Sequence, residues 1–166
     1  MVAEAGRARA RIASPGSGEA SVATGIPVLD HLLALAAQSG RFDLTLEVAP
    51  GAAAEEAAAC GRALGDALRQ AGPLAPGAGH ALADEALAQV VLESSDRPSL
   101  FSNVDLSAAR VAGLRTDVIA GFLDELAEGA GLTIHVRLIE GKETEHVLEA
   151  IFKALGAALG QALTTT

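Results

Sequence analysis

Four histidines, His31, His80, His135 and His146, are the side chains best suited to chemistry near neutral pH, because imidazole both titrates there and ligates metals. The most suggestive grouping is near the C-terminus. Glu145 and Glu149 lie four apart and His146 and Glu149 three apart, so on a helix each pair projects from nearly the same face. Two ligands per helix is how metal sites between helices are built. The competing reading is a solvated, acidic first turn that suits the helix dipole. His135 sits in Thr133-Ile134-His135-Val136-Arg137, an alternating segment in which it shares the polar face with Thr133 and Arg137. His31 follows Asp30, and reads either as a ligand or as a helix histidine held by that carboxylate. Cys60 is the single cysteine, which excludes an intrachain disulfide and a thiolate cluster and leaves a small buried residue as its simplest role.

The elements that must position these groups follow from periodicity. Arg7–Ile12 and Ala20–Ile26 flank Pro15-Gly16-Ser17-Gly18 and are expected to form a hairpin. Residues 27–39 carry apolar side chains at helical spacing, and Gly40 is placed for a left-handed helix end. Residues 41–48 alternate as a half-buried strand, and residues 52–71 form an Ala-rich helix stopped by Gly72 and Pro73. Residues 72–79 are expected to be a surface connection. Strands follow at 89–93 and around 101–105, then a helix at 116–128, a strand at 132–138 and a helix at 144–163. The order helix, glycine, strand, break, helix thus occurs twice, and Ala63-Leu64-Gly65-Asp66-Ala67-Leu68 answers Ala154-Leu155-Gly156-Ala157-Ala158-Leu159. The expectation is a single α+β domain made of two similar ββαβα-like halves, about 1–72 and 80–163, with helices packed on sheets.

Composition narrows the function. The chain is 50% hydrophobic but only 2% aromatic, with no Trp or Tyr, so its core is built of small aliphatic side chains. A formal net charge of -9 argues against nucleic acid and anionic membranes as partners, since both need a basic face. No apolar run approaches the roughly 20 residues that cross a bilayer. Residues 1–12 lack the apolar stretch of a signal peptide, and a cytoplasmic location is expected.

Several segments resemble one known family. Thr24-Gly25-Ile26-Pro27-Val28-Leu29-Asp30-His31, Gly40-Arg41-Phe42-Asp43-Leu44-Thr45, Asp84-Glu85-Ala86-Leu87, Arg97-Pro98, Gly131 to Arg137 and His146 to Ala154 are similar, in order, to motifs of the imidazoleglycerol-phosphate dehydratases. The resemblance implies a domain of two ββαβα-like halves, homo-oligomers built from trimers, and dehydration of imidazole glycerol phosphate to imidazole acetol phosphate in histidine biosynthesis. It also implies a pair of manganese ions that hold the imidazole ring as imidazolate. Such charge stabilisation is what removal of a poorly acidic proton requires. Carried over, the resemblance gives metal-ligand positions to His31, His135, Glu145, His146 and Glu149, and substrate-phosphate contacts to Arg97, Arg110 and Lys153.

The departures concern the metal. The family's first HHxxE motif falls on Ala54, Glu55 and Ala58, and Glu145 stands where the second begins with His. The family's KET glutamate falls on Ala5, beside Glu4, so no catalytic acid or base is assigned. The chain's end at Thr166 leaves no family-type phosphate-binding tail. A carboxylate at Glu55 or Glu145 still offers oxygen, but Ala54 and Ala58 offer nothing. The expectation is therefore a dehydratase homologue of reduced or lost activity, holding one weak manganese or none, forming a trimer but not readily the larger metal-dependent shell. The alternative, from another class, is a non-catalytic structural or regulatory subunit that binds a phosphorylated small molecule or an intact paralogue.

Overall fold

The two halves lay down the same sheet twice in the computed structural model, which describes residues 1–5, 7–106 and 109–165. The first half contains β1 (Val2–Ala5), β2 (Ala8–Ala13), β3 (Ala20–Ala23), α1 (Pro27–Gly40), β4 (Asp43–Val48) and α2 (Ala53–Arg69). The second contains β5 (Gly77–Ala83), β6 (Ala86–Ser94), β7 (Ser99–Ser102), the short pair β8 (Arg110–Val111) and β9 (Leu114–Arg115), α3 (Thr116–Ala130), β10 (Leu132–Glu140) and α4 (Thr144–Thr165). The sheet orders are β1-β2-β4-β3 and β5-β6-β10-β7. In each, the first three strands run antiparallel and the last joins parallel. The α+β architecture of two similar halves is thus as the sequence implies.

Alternation decides which face of each sheet is covered. On β2, Ala8, Ala10 and Ile12 are buried while Arg9 and Arg11 are exposed. On β6 and β10, Ala88, Val90, Leu92, Ile134 and Val136 are buried, and the intervening side chains are not. The helices cover these faces and then meet each other, α1 against α4 and α2 against α3. Phe122 of α3 stacks on Phe152 of α4 at 6.1 Å between ring centres. With so few aromatics, the rest of the interior depends on close backbone approach. A Cβ on Gly156 would lie 2.0 Å from the Ala36 carbonyl oxygen, and one on Gly160 2.3 Å from that of Gly40.

Four expectations need correction. Gly40 does not adopt the left-handed conformation; Arg41 does, at φ 53°, and position 40 is glycine because a Cβ there would lie 2.2 Å from the Gly156 carbonyl oxygen. The segments before and after Pro15 do not pair as a hairpin, because β4 lies between β2 and β3. The intervening loop is captured by Asp43, whose Oδ1 accepts the N–H groups of Ser17, Gly18 and Glu19. Residues 77–79 are strand, not surface connection. Their small side chains are imposed by α4, since a Cβ at Gly77 or Gly79 would meet the Ala158 or Ala154 carbonyl at 2.1 or 2.2 Å. Finally, α4 does have the length and hydropathy of a membrane span, but its apolar residues, among them Ile151, Phe152 and Leu155, are buried against α1 and the second sheet.

Two measurable consequences arise here. The Asp43 carboxyl is held below its usual 3.8, first by the Glu19 N–H and then by those of Ser17 and Gly18. Its contribution is therefore present above the unfolded-state value and fades as pH falls through the lower folded value. Thermal melts of Asp43→Ala are expected to show a lower Tm than the parent at pH 7, with the gap closing in strong acid. Cys60 is fully buried, and burial, with Asp30 and Glu56 nearby, pushes its thiol up to about 12. The native chain is expected to resist iodoacetamide at pH 8, with alkylation followed by mass spectrometry appearing only in denaturant.

Candidate functional site

The N-terminal end of α4 gathers most of the titratable side chains singled out from the sequence. His31 Nε2 on α1 lies 3.0 Å from Glu149 Oε2 on α4. Asp30 does not hold His31, contrary to the local reading: its Oδ1 accepts the backbone N–H of Thr24 at 2.9 Å and the Thr24 hydroxyl at 2.6 Å. Thr24 is wholly buried, so this pair fixes the start of α1 and leaves His31 to reach across the helix crossing. His31, Glu145 and Glu149 line one shallow pocket whose apolar walls include Val28, Leu32 and Leu148. The β8–β9 turn, with Val111 and Ala112, borders the same pocket.

His146 is turned elsewhere. Its Nδ1 is hydrogen-bonded to Glu85 and its Nε2 lies 3.2 Å from Asp84 Oδ2, both at the β5–β6 turn. The Lys142 N–H, followed by the His146 contact, draws the Glu85 carboxyl down to about 2. The Glu85 hydrogen bond raises His146 above its ordinary value. Asp84 and Glu85 lie in a segment that the sequence marked only as a motif; the partnership with His146 is long-range and leaves no local signal.

His135 lies apart from both groups. It is on the outer face of the second sheet, away from the helices, stacked on Phe101 at 4.8 Å. Strand register sets Phe101 beside it on β7 and Val91 beside it on β6. His80 is likewise exposed on β5.

The three cations do not converge either. Arg97 is exposed in the β6–β7 loop, its carbonyl accepting from Thr133 Oγ1 at the start of β10. Lys153 donates to the Leu82 carbonyl, and Leu82 is in register with Leu87, which pairs with Glu140 at the far end of β10. From Thr133 to Glu140 a strand advances about 23 Å at about 3.3 Å per residue, too far for one phosphate to span. Arg110 donates to the Gly113 carbonyl within its own hairpin, beside the His31 pocket.

The donor set can be tested against the metal pair that the resemblance implies. His31 and Glu149 make a pair of donors with Glu145 in the same pocket, but His146 is bound to the β5–β6 turn and His135 is on another face. Among the described residues, no group of three or more His, Cys, Asp or Glu side chains is arranged to hold a metal ion. The face of α2 at Ala54, Glu55 and Ala58 is an open pocket flanked by Arg7 and Arg62. Glu55 is drawn to Arg7 at 3.7 Å and Arg62 to Glu125 at 3.2 Å. The methyl groups offer no donor, and the one carboxylate on this face is already engaged by a guanidinium group. The residues of one chain therefore do not fit a dinuclear centre.

Comparison with known proteins agrees with the fold. Residues 24–159 match the profile of the family described as Imidazoleglycerol-phosphate dehydratase. The Imidazoleglycerol-phosphate dehydratase of Desulforamulus reducens is 38% identical over 157 residues, covering 90% of this chain and 80% of that protein. The one from Syntrophobacter fumaroxidans is 41% identical over 158 residues, covering 89% and 79%. The crystal structure of the Staphylococcus aureus enzyme superposes with a TM-score of 0.86 at 31% identity and covers 98% of each chain. This chain therefore belongs to the imidazoleglycerol-phosphate dehydratase family.

Proposed function

We propose that this chain is a divergent dehydratase of histidine biosynthesis whose turnover of imidazole glycerol phosphate to imidazole acetol phosphate is strongly reduced or lost. The family's match across most of the chain supports the reaction class. The observation that carries the reduction is the face of α2, where Ala54 and Ala58 lie between Arg7 and Arg62. Neither methyl group has a lone pair, and no side-chain rearrangement supplies one. Manganese, if held at all, is held singly and weakly near His31 and Glu149. The protein works in the cytoplasm as a homo-oligomer, with a trimer as its unit. Assembly brings Arg97 and Lys153 from different copies to one phosphate, since within a chain they lie at opposite ends of β10.

A second reading, a non-catalytic subunit that binds a phosphorylated small molecule or an intact paralogue, is favoured by one contrast. Arg97, Arg110 and Lys153 are present, while Ala54 and Ala58 on α2 offer no donor. Both readings predict phosphate binding, and Lys153→Ala is expected to weaken inorganic phosphate binding about tenfold, the effect of one charge-assisted hydrogen bond. Calorimetric titration checks this. An assay of imidazole acetol phosphate formation at high protein concentration separates the readings: slow turnover supports the first and none supports the second.

Both readings also predict a particle size that does not respond to manganese. Light scattering with and without the ion is expected to give the same oligomer, and a metal-dependent shift to a shell-sized particle would refute the claim that metal does not drive assembly of this chain.

A further inference from the structure

The turn joining β5 to β6 does more than close two strands. Asp84 occupies the left-handed region at φ 49°, uncommon for a residue with a side chain, and the acidic groups of Asp84 and Glu85 both reach α4. Glu85 Oε2 accepts the N–H of Lys142 at 3.0 Å and of Glu143 at 3.3 Å. Its other oxygen, Oε1, meets His146 Nδ1. Glu143 accepts the first helical hydrogen bond, from Val147, so one carboxylate holds both the backbone entering α4 and an imidazole on its first turn.

This geometry restricts the ring. An ionised carboxylate can only accept, so the nitrogen facing Glu85 must carry the proton. The other nitrogen, Nε2, lies 3.2 Å from Asp84, an acceptor too. That contact is longer than the one to Glu85, and the Asp84 side chain is 74% exposed against 38% for Glu85, so Nε2 is the nitrogen that can change partner. A carboxylate behind an imidazole is also how proteins orient a histidine for work at its far nitrogen. The same turn of helix carries Glu145 and Glu149, which line the His31 pocket.

We propose that Glu85 is a positioning residue: it keeps His146 protonated at Nδ1 with Nε2 outward, and it fixes the turn of α4 from which Glu145 and Glu149 line the pocket. Its relevance to function rests on that pocket being the site, but its grip on His146 does not. A residue that merely capped the helix would protect the Lys142 and Glu143 amides and leave the ring tautomer free.

The test is long-range proton–nitrogen NMR of the full chain carrying nitrogen-15 histidine, at a pH where the ring is neutral, with amide exchange read alongside. In the parent, His146 is expected to show protonated Nδ1. In Glu85→Ala, the Nε2-protonated form is expected to dominate, and the Lys142 and Glu143 amides to exchange about tenfold faster. Glu85→Leu, which keeps the bulk of the side chain but offers no acceptor, is expected to give the same tautomer change and serves if the alanine variant does not fold. Asp84→Asn is expected to leave Nδ1 protonated. An unchanged His146 tautomer in both Glu85 variants would overturn the proposal. Turnover does not enter these measurements, so their failure is distinct from failure of the reduced-activity reading.

Discussion

A bacterial strain lacking its own imidazoleglycerol-phosphate dehydratase is expected not to grow without histidine when this chain is expressed in it, although the same strain grows when given the Syntrophobacter fumaroxidans relative. The reason is electrostatic. Losing hydroxide and a poorly acidic proton from the glycerol side chain needs charge stabilised on the neighbouring ring, and a bound metal ion would supply several kcal/mol of that stabilisation. Each 1.36 kcal/mol is tenfold in rate, so turnover at least about 10³-fold below that of the relative is expected. Ala54→His, Glu55→His and Ala58→Glu combined put donors back on α2, and Arg7→Ala removes the adjacent positive charge that now binds Glu55. The combined variant is expected to bind more manganese than the parent, measured by metal analysis after dialysis, and to recover part of the turnover. Robust growth with the parent chain would sink the reduced-activity claim while leaving the fold and family intact.

The second large effect is on stability. Gly156→Val is expected to lower the unfolding free energy by at least about 3 kcal/mol, because overpacking costs typically 1–3 kcal/mol even where neighbours can move. Here the obstacle is backbone: a Cβ would lie 2.0 Å from the Ala36 oxygen and 2.6 Å from its Cα. For a chain of this length that is a fall in Tm of about 10 °C, read by calorimetry or circular dichroism. Gly121 of α3 is the control, since a Cβ there meets nothing within 4 Å. Gly121→Ala is expected to stabilise by about 0.5–1 kcal/mol through helix propensity alone. Equal behaviour of the two variants would remove the close crossing of α1 and α4 from the account.

The contrast between these glycines explains which parts of the fold were legible. Helices α1 to α4 and strands β4, β6 and β10 announce themselves because their buried residues recur at the period of the element. The edge strand β5 is hidden, because the carbonyls of α4 leave room only for glycine at 77 and 79, and Gly-Ala-Gly otherwise looks like a loop. The pairing of β2 and β3 with β4 rather than with each other is hidden too, because it depends on Asp43 capturing the N–H groups of residues 17–19 from far along the chain.

The site was legible in its residue types and not in its partnerships. His31 sits beside Asp30 in sequence yet pairs with Glu149, because Thr24 claims Asp30. His146 shares a helix with Glu149 but is turned toward Glu85. The dispersal of Arg97 and Lys153 depends on strand register, which no short motif records. That Ala54 and Ala58 carry no donor atom is plain from sequence alone. The three-dimensional arrangement added Arg7 and Arg62 beside them, and shows that the one carboxylate on that face, Glu55, is already paired with Arg7.

Metal analysis of the purified, dialysed protein tests the central claim most directly, by counting manganese per chain. The account predicts at most one weakly held ion, lost on dialysis against buffer alone. Two ions per chain that survive dialysis and accompany turnover at the relative's rate would contradict it.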